Sequence, residues 1–290
     1  MTKAQIDKLL SEGKFPDITK KRKLIETHIS WVILGAKFVY KIKKPIKYSF
    51  LDFSTLNLRK HYCEREINLN QRFSKNIYLE VSPIYELQDR YYMGGNKGTI
   101  IDYAVKMRKL DPKKRMDILL SQHKVSESDI KNLAERITHF HKNAKTIYIK
   151  NVLDVQEKFN DLGAEIEFLA KKLGLEYSDL IDRAIKASDA FLSENEKLLK
   201  NRLKSGFFKD CHGDLHTRNI FLLPNPQPFD CIEFNDEYRQ IDVLNEVAFL
   251  CMDLDALGKY ALSDLFMEHY NCHFPTIRAM AERKLFVYYK

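Results

Sequence analysis

Nowhere in the 290-residue sequence do the roughly 18 consecutive apolar residues of a membrane span occur. The N-terminal MTKAQIDKLLSEGKF is broken by Asp and Glu, so it lacks the apolar run of an export signal. Five cysteines stand at positions 63, 211, 231, 251 and 272, an odd number with no Cys-x-x-Cys pair. That pattern argues against a disulfide framework and reads as reduced thiols in a cytoplasmic protein. Internal repeats and low-complexity tracts are absent. The one tight basic cluster, Lys20-Lys21-Arg22-Lys23, has no interleaved aromatics and reads as a solvated turn, so no nucleic-acid partner is expected. What the chain does have is 44% apolar residues and 12% aromatics, enough for one large domain or two compact lobes. Its net charge of +8 is uneven: residues 1–150 carry 31 Lys and Arg against 16 Asp and Glu, whereas the rest carries 17 against 24. A basic half beside an acidic half suits a protein that holds phosphates with one part and a neutral or cationic molecule with the other.

The hydropathy pattern changes character along the chain. After a short helix near 3–12, alternation in LIETHISWVILGAKFVYKIKK predicts two or three strands over 24–44, with Gly35-Ala36-Lys37 as a hairpin turn. Residues 55–74 show helical spacing, and two further strands are expected over 81–88 and 100–107, separated by a turn at Gly94-Gly95-Asn96. From 127 onward long helices are expected, at about 127–145, 151–173, 177–204, 240–258 and 260–272. Between them lies the short strand Phe207-Phe208-Lys209, and then two apolar stretches, 219–223 and 229–233, joined by Pro224-Asn225-Pro226-Gln227-Pro228 as a hairpin. The final AERKLFVYYK is again helical and has no stop signal, which leaves open whether the native chain continues past Lys290.

Chemistry concentrates in Cys211-His212-Gly213-Asp214-Leu215-His216-Thr217-Arg218-Asn219. Phosphoryl transfer needs a carboxylate to orient or deprotonate the attacking hydroxyl, and a nearby side-chain oxygen to hold a magnesium ion. Asp214 and Asn219 have the spacing of the kinase catalytic loop, His-x-Asp-x-x-x-x-Asn. If Asn219 opens one strand of the hairpin and Glu233 closes the other, both oxygens converge as a magnesium site. Asp230 and Asp236 are substitutes for Glu233. His212 is expected to anchor the loop through hydrogen bonds.

The segments CHGDLHTRNIFLL and FDCIEFNDEYRQIDVLNEVAFLCMDLDALG resemble the catalytic core of the aminoglycoside phosphotransferase superfamily, relatives of the choline kinases. VYKIKKPIKYSFLDFSTLNLRKHYCEREINLNQRF and IIDYAVKMRKL fit a bacterial group within it whose substrates are mostly unassigned and some of whose members are fused to a P-loop ATPase domain. The resemblance implies an α+β, protein-kinase-like bilobal fold. A small β-rich lobe would cover residues 1–103 and a larger, mainly helical lobe 104–290. It also implies an ATP- or GTP-dependent phosphotransferase that uses Mg2+ to phosphorylate a hydroxyl of a small molecule. By position, Asp214 resembles the catalytic aspartate, Asn219 the magnesium-binding asparagine, and Glu233 stands in place of the magnesium-binding aspartate. Lys41 resembles the phosphate-holding lysine and Glu66 the helix glutamate paired with it, with Lys43 and Glu64 as alternatives. Tyr103 to Met107 resembles the hinge that meets the adenine. THISWVILGAKF departs from the family in having only Gly35 where a glycine-rich loop is expected, leaving backbone donors near Ser30 to serve.

Two other readings remain at the level of sequence. His212-x-Asp214-x-His216 could be the ligand cluster of a metal-dependent hydrolase, and the two departures from the family would suit a catalytically inactive kinase-like binding module. Cys211 reads as a buried strand-end residue and not as a nucleophile.

Overall fold

The computed structural model describes residues 1–17, 22–74 and 76–290; the basic cluster's Lys20 and Lys21 lie outside the described residues. The chain opens with α1 (Lys3–Glu12), started by a Thr2 and Gln5 capping box. Three strands follow, β1 (Lys23–Glu26), β2 (Ser30–Leu34) and β3 (Phe38–Lys43), and then a small hairpin of β4 (Lys47–Tyr48) and β5 (Leu51–Asp52). Next come α2 (Leu56–Asn70), β6 (Tyr78–Leu87), β7 (Arg90–Met93) and β8 (Thr99–Arg108). The larger strands form one antiparallel sheet in the order β1-β2-β3-β8-β6-β7. Because side chains alternate along a strand, β3 sends Tyr40 and Ile42 into a core under α1 with Ile6 and Leu9. It turns Lys41 and Lys43 to the opposite face, where α2 packs Cys63 and Ile67 against Tyr78 and Val105. Arg59 of α2 is buried against Asp102 of β8 at 2.8 Å, which fixes the helix to the sheet.

Past β8 the structure is mainly helical: α3 (Met116–Ser121), α4 (Glu127–Asn143), α5 (Asp154–Asn160), α6 (Ile166–Leu173) and α7 (Leu175–Lys204). Then β9 (Phe208–Asp210), β10 (Ile220–Phe221), β11 (Gln227–Pro228) and β12 (Gln240–Asp242) precede α8 (Val243–Ala256), α9 (Tyr260–His273) and α10 (Met280–Tyr289). Their shared core is built from residues such as Leu133, Ile137, Leu199, Val247, Leu250 and Phe266. The protein is thus a two-lobed α+β molecule with a curled antiparallel sheet and a helical body. Among the described residues no helix is long and apolar enough to cross a membrane.

Several elements differ from the sequence expectations. The helix expected over 151–173 is interrupted by a 3-10 segment, Asp161–Glu165. Residues 240–242 are a strand paired with β9, not the start of a helix. The hairpin expected over 219–233 has only two residues per strand, pairing Ile220 with Pro228 and Phe221 with Gln227. Pro228 has no N–H for a longer ladder, and Asp230 lies in the left-handed region at φ 64°. Glu233 therefore does not close the second strand. β8 matches the strand expected over 100–107 and ends at Arg108, so Tyr103 to Met107, read as a hinge, lie within the strand.

Candidate active site

The loop after β9 is held by buried polar contacts. His212 is fully buried; its Nε2 lies 2.9 Å from the Phe229 carbonyl and its Nδ1 lies 3.2 Å from the Asp214 N–H. This assigns Nε2 as the donor and Nδ1 as the acceptor, and burial lowers the His212 pKa, consistent with a neutral ring. Gly213 has φ 84°, and a Cβ there would stand 2.9 Å from the Tyr238 carbonyl oxygen, so both conformation and space require glycine. The Glu246 carboxylate of α8 accepts the N–H groups of His212 and Gly213 at 2.8 and 2.7 Å. On its other side it meets His141 Nε2 at 2.9 Å, and His141 Nδ1 meets the Tyr270 hydroxyl at 2.8 Å.

So seated, the loop presents Asp214, whose side chain is 41% exposed. Asn219, in the 3-10 turn Thr217–Asn219, donates from Nδ2 to Asp214 Oδ2 at 3.0 Å and to the Asp214 carbonyl at 3.1 Å. An amide nitrogen so engaged turns its oxygen away from Asp214. His216 Nε2 lies 3.6 Å from Asp214 Oδ2. Burial would raise the Asp214 pKa, but the neighbouring His216, with His212 and Asn219, holds it below the usual carboxylate range.

Facing this loop is a cluster of charges from the sheet. Lys41 Nζ bonds Glu66 Oε1 at 2.9 Å and Asp230 Oδ1 at 2.5 Å. Lys43 Nζ bonds Glu66 Oε2 at 2.7 Å and also pairs with Glu233. Glu66 thus bridges both lysines, whereas Glu64 is half exposed beside Lys60 at 3.6 Å. Burial opposes the charge on Lys41, yet Asp230, Glu66 and Glu233 outweigh it and raise its pKa well above the ordinary lysine value. Burial raises the Glu233 pKa against the pull of Lys43. Burial would likewise raise that of Asp230, but Lys41 draws it down. The other substitute, Asp236, is tied to Arg65 and Arg239.

A cleft of about 660 Å³ joins the two sets, lined by Lys41, Tyr78, Met107, Asp214, Asp230 and Glu233 among others. Thr27, His28 and Ile29, the turn between β1 and β2, line its roof. Ser30 itself is buried with its N–H donated to Thr27 Oγ1 at 2.9 Å, so the backbone donor expected there is already engaged. Tyr103 does not line the cleft and packs instead with the α2 cluster. The strand residues before Met107 are paired with β3 on one side and β6 on the other. Ala104, Val105 and Lys106 thus have both backbone edges engaged in the sheet. The connecting segment Arg108-Lys109-Leu110 lines the cleft in their place.

No family model matches the chain. An uncharacterised protein of Mycobacterium tuberculosis is 31% identical over 253 residues, 84% of this chain and 48% of that protein. A Mycobacterium bovis protein, also uncharacterised, matches to the same extent. The chain spans about half the length of the curated relatives it matches. Among solved structures, an aminoglycoside phosphotransferase of Streptomyces rimosus superposes with a TM-score of 0.50 at 12% identity, covering 92% of this chain and 91% of that one. The chain has the aminoglycoside phosphotransferase fold. A choline/ethanolamine kinase family protein of Mesorhizobium loti gives a TM-score of 0.49 at 12% identity over 99% of this chain and 80% of its own.

Within this aminoglycoside phosphotransferase fold, Lys41, Met107, Asp214 and Glu233 meet at one cleft. Glu66 stands behind Lys41, and Asn219 beside Asp214. The hydrolase cluster is not formed, because both ring nitrogens of His212 are engaged inside the loop. Burial pushes the Cys211 thiol far above its ordinary pKa, against a nucleophilic role. Sequence reasoning missed Glu246, His141 and Tyr270. The signal was an acid embedded in the apolar run Val243-Leu244-Asn245-Glu246-Val247-Ala248, since buried charges are rare without partners.

Proposed function

We propose that the chain is a phosphotransferase that moves the terminal phosphate of ATP or GTP to a hydroxyl of a small molecule. The observation that carries this reading is the convergence of Lys41, Asp214 and Asp230 on a single cleft between the lobes of a phosphotransferase fold. Asp214 is the acceptor's base. Its carboxylate is partly exposed, kept ionised, and oriented by Asn219, as a group that accepts a hydroxyl proton needs to be. Lys41 holds the nucleotide phosphates, with Glu66 fixing its ammonium group. The chain leaves the sheet along Arg108–Leu110; the N–H groups of Arg108 and Lys109 are donated to the Ile77 and Lys37 carbonyls, so Leu110 is the residue assigned to meet the base, and the lobe boundary is assigned there. The β1–β2 turn covers the phosphates.

The donor set fits a magnesium ion: the Asp230 carboxylate faces the cleft, and the Asn219 amide oxygen is turned from Asp214. Asp230 replaces Glu233 as the carboxylate assigned to this role. Its side chain is 43% exposed, whereas Glu233 is buried against Lys43. When bound, magnesium would neutralise charge on the phosphates.

Asp214→Asn tests the reading. Transfer to the true acceptor should fall by about 10²–10⁴-fold, the usual contribution of general base catalysis, while nucleotide affinity stays near wild type. The measurement is product phosphate from a panel of hydroxyl-bearing metabolites and aminosugars, with nucleotide binding followed by calorimetry. A variant that keeps most of its turnover would make Asp214 a structural loop residue.

A further inference from the structure

Helices α4 and α9 lie against each other, and at the solvent end of their seam three side chains unused by the proposed reaction come together. Glu135 projects from α4, and His269 and His273, four residues apart on α9, share one helical face with ring centroids 4.5 Å apart. His269 Nε2 lies 3.1 Å from Glu135 Oε1. His273 Nδ1 lies 2.9 Å from the carbonyl of His269, where it acts as donor and leaves Nε2 with its lone pair free to ligate. One potential ligand atom from each residue lies within 4.8 Å of the other two. Ligands about 2.0–2.1 Å from a tetrahedral ion stand roughly 3.4 Å apart. Closing the set therefore takes small rotations of side chains that lie at the surface.

We propose that Glu135, His269 and His273 form a site for a divalent transition-metal ion, zinc or nickel in class, which staples α4 to α9. Two imidazoles and one carboxylate suit such ions, whereas magnesium and calcium prefer oxygen alone. The His273 Nδ1–H to carbonyl bond is the kind of outer contact that fixes the tautomer of a metal-ligating histidine. Three protein ligands leave one position for water. The staple lies on the same two helices that supply His141 and Tyr270 to Glu246, so it bears on the seat of the Asp214 loop without touching a reacting group. The site does not depend on the phosphotransferase reading.

The experiment titrates the untagged full chain with zinc, nickel and magnesium by calorimetry and follows thermal melting. Zinc or nickel should bind at one equivalent and raise Tm by about 5 °C at a hundredfold excess over Kd, with no such effect from magnesium. His273→Ala and, independently, Glu135→Gln should weaken binding at least as much as the about 10–100-fold that loss of an outer contact costs, with the metal-free Tm unchanged. Cys272→Ser should retain it, because the exposed thiol beside His273 is not part of the set. Wild-type affinity in both ligand variants, loss of binding in Cys272→Ser, or no binding by the wild-type chain would each overturn the proposal.

Discussion

Two lysines and three carboxylates, Lys41, Lys43, Glu66, Asp230 and Glu233, share one junction, and their division of labour follows from exposure. Lys43 and Glu66 are fully buried, and Glu233, although it lines the cleft, is nearly so, whereas Lys41 and Asp230 are the more exposed to it. Asp230→Asn should therefore remove most of the metal dependence of nucleotide binding with little change in stability. Glu233→Gln should do the reverse, because it strips a buried ammonium of a partner, a change that typically costs about 3–5 kcal/mol. Calorimetry with and without magnesium, paired with urea unfolding, separates the two. If Glu233→Gln abolished the metal effect at wild-type stability, Glu233 would take the ligand role back.

His216 supplies a pH signature at the same scale. The Asp214 carboxylate beside it raises its pKa above the usual value of about 6.5. The stabilisation it lends the fold is full below that ordinary value and is lost as pH rises through the higher folded one. For Asp214, whose pKa is lowered, the contribution is present above the ordinary carboxylate range and disappears as pH falls through the folded value. Protonated His216 also makes Asp214 a weaker base. The transfer rate should thus climb as pH passes the folded pKa of His216, and His216→Asn should lose that limb. A profile unchanged by the substitution would mean that His216 does not govern Asp214.

At the level of elements, what could be read from the sequence was what local pattern specifies. The alternation in SWVILGAKFVYKIKK marks β2, β3 and the turn between them, and it puts Lys41 and Lys43 on one face, opposite Tyr40 and Ile42. Helical spacing and a serine cap mark α4, where Ser126 and Asp129 form a capping box. Pairings between distant segments were not legible. β12 belongs to a sheet only because β9 lies beside it, and a three-residue strand leading directly into α8 reads locally as that helix's first turn. The end of β8 was legible to within a residue, but nothing in DYAVKMR marks where the backbone stops pairing, so the hinge was placed inside the strand and not at its exit near Arg108. Asp230 shows the limit within a motif. The spacing of 219–233 brought the acids close, but the left-handed Asp230 just past the second strand leaves its own carboxylate the more exposed of the two.

For the whole molecule, the contacts between the lobes are concentrated on α2 and the residues just after it. Arg65 pairs with Asp236, and Arg72 reaches Asp210 at 2.8 Å and the Cys211 carbonyl at 3.0 Å. Asn70 accepts the Cys231 N–H at 2.9 Å, and Ser74 donates to the Pro228 carbonyl at 2.7 Å. The helix that carries Glu66 is therefore anchored to the helical lobe, while the β1–β2 turn over the cleft belongs to the far edge of the sheet. A nucleotide in the cleft would add contacts from that edge to the loops bearing Asp214 and Asp230, and so favour the folded, closed molecule over the unfolded chain. At a concentration of about 100 times Kd such linkage is worth roughly 2.7 kcal/mol, a rise in Tm of about 5 °C or more for a chain of this size. Magnesium should be needed for most of that rise, because without it the triphosphate faces three carboxylates, Asp214, Asp230 and Glu233, and of the basic residues lining the cleft Lys41 is already paired with Asp230 and Arg115 with Asp117. Melting curves with ATP or GTP, each with magnesium and with chelator, check this. A rise of equal size under chelator would place the phosphates on Lys41 alone and remove the reason for assigning a metal to Asp230. No rise with either nucleotide would leave the cleft without its proposed occupant.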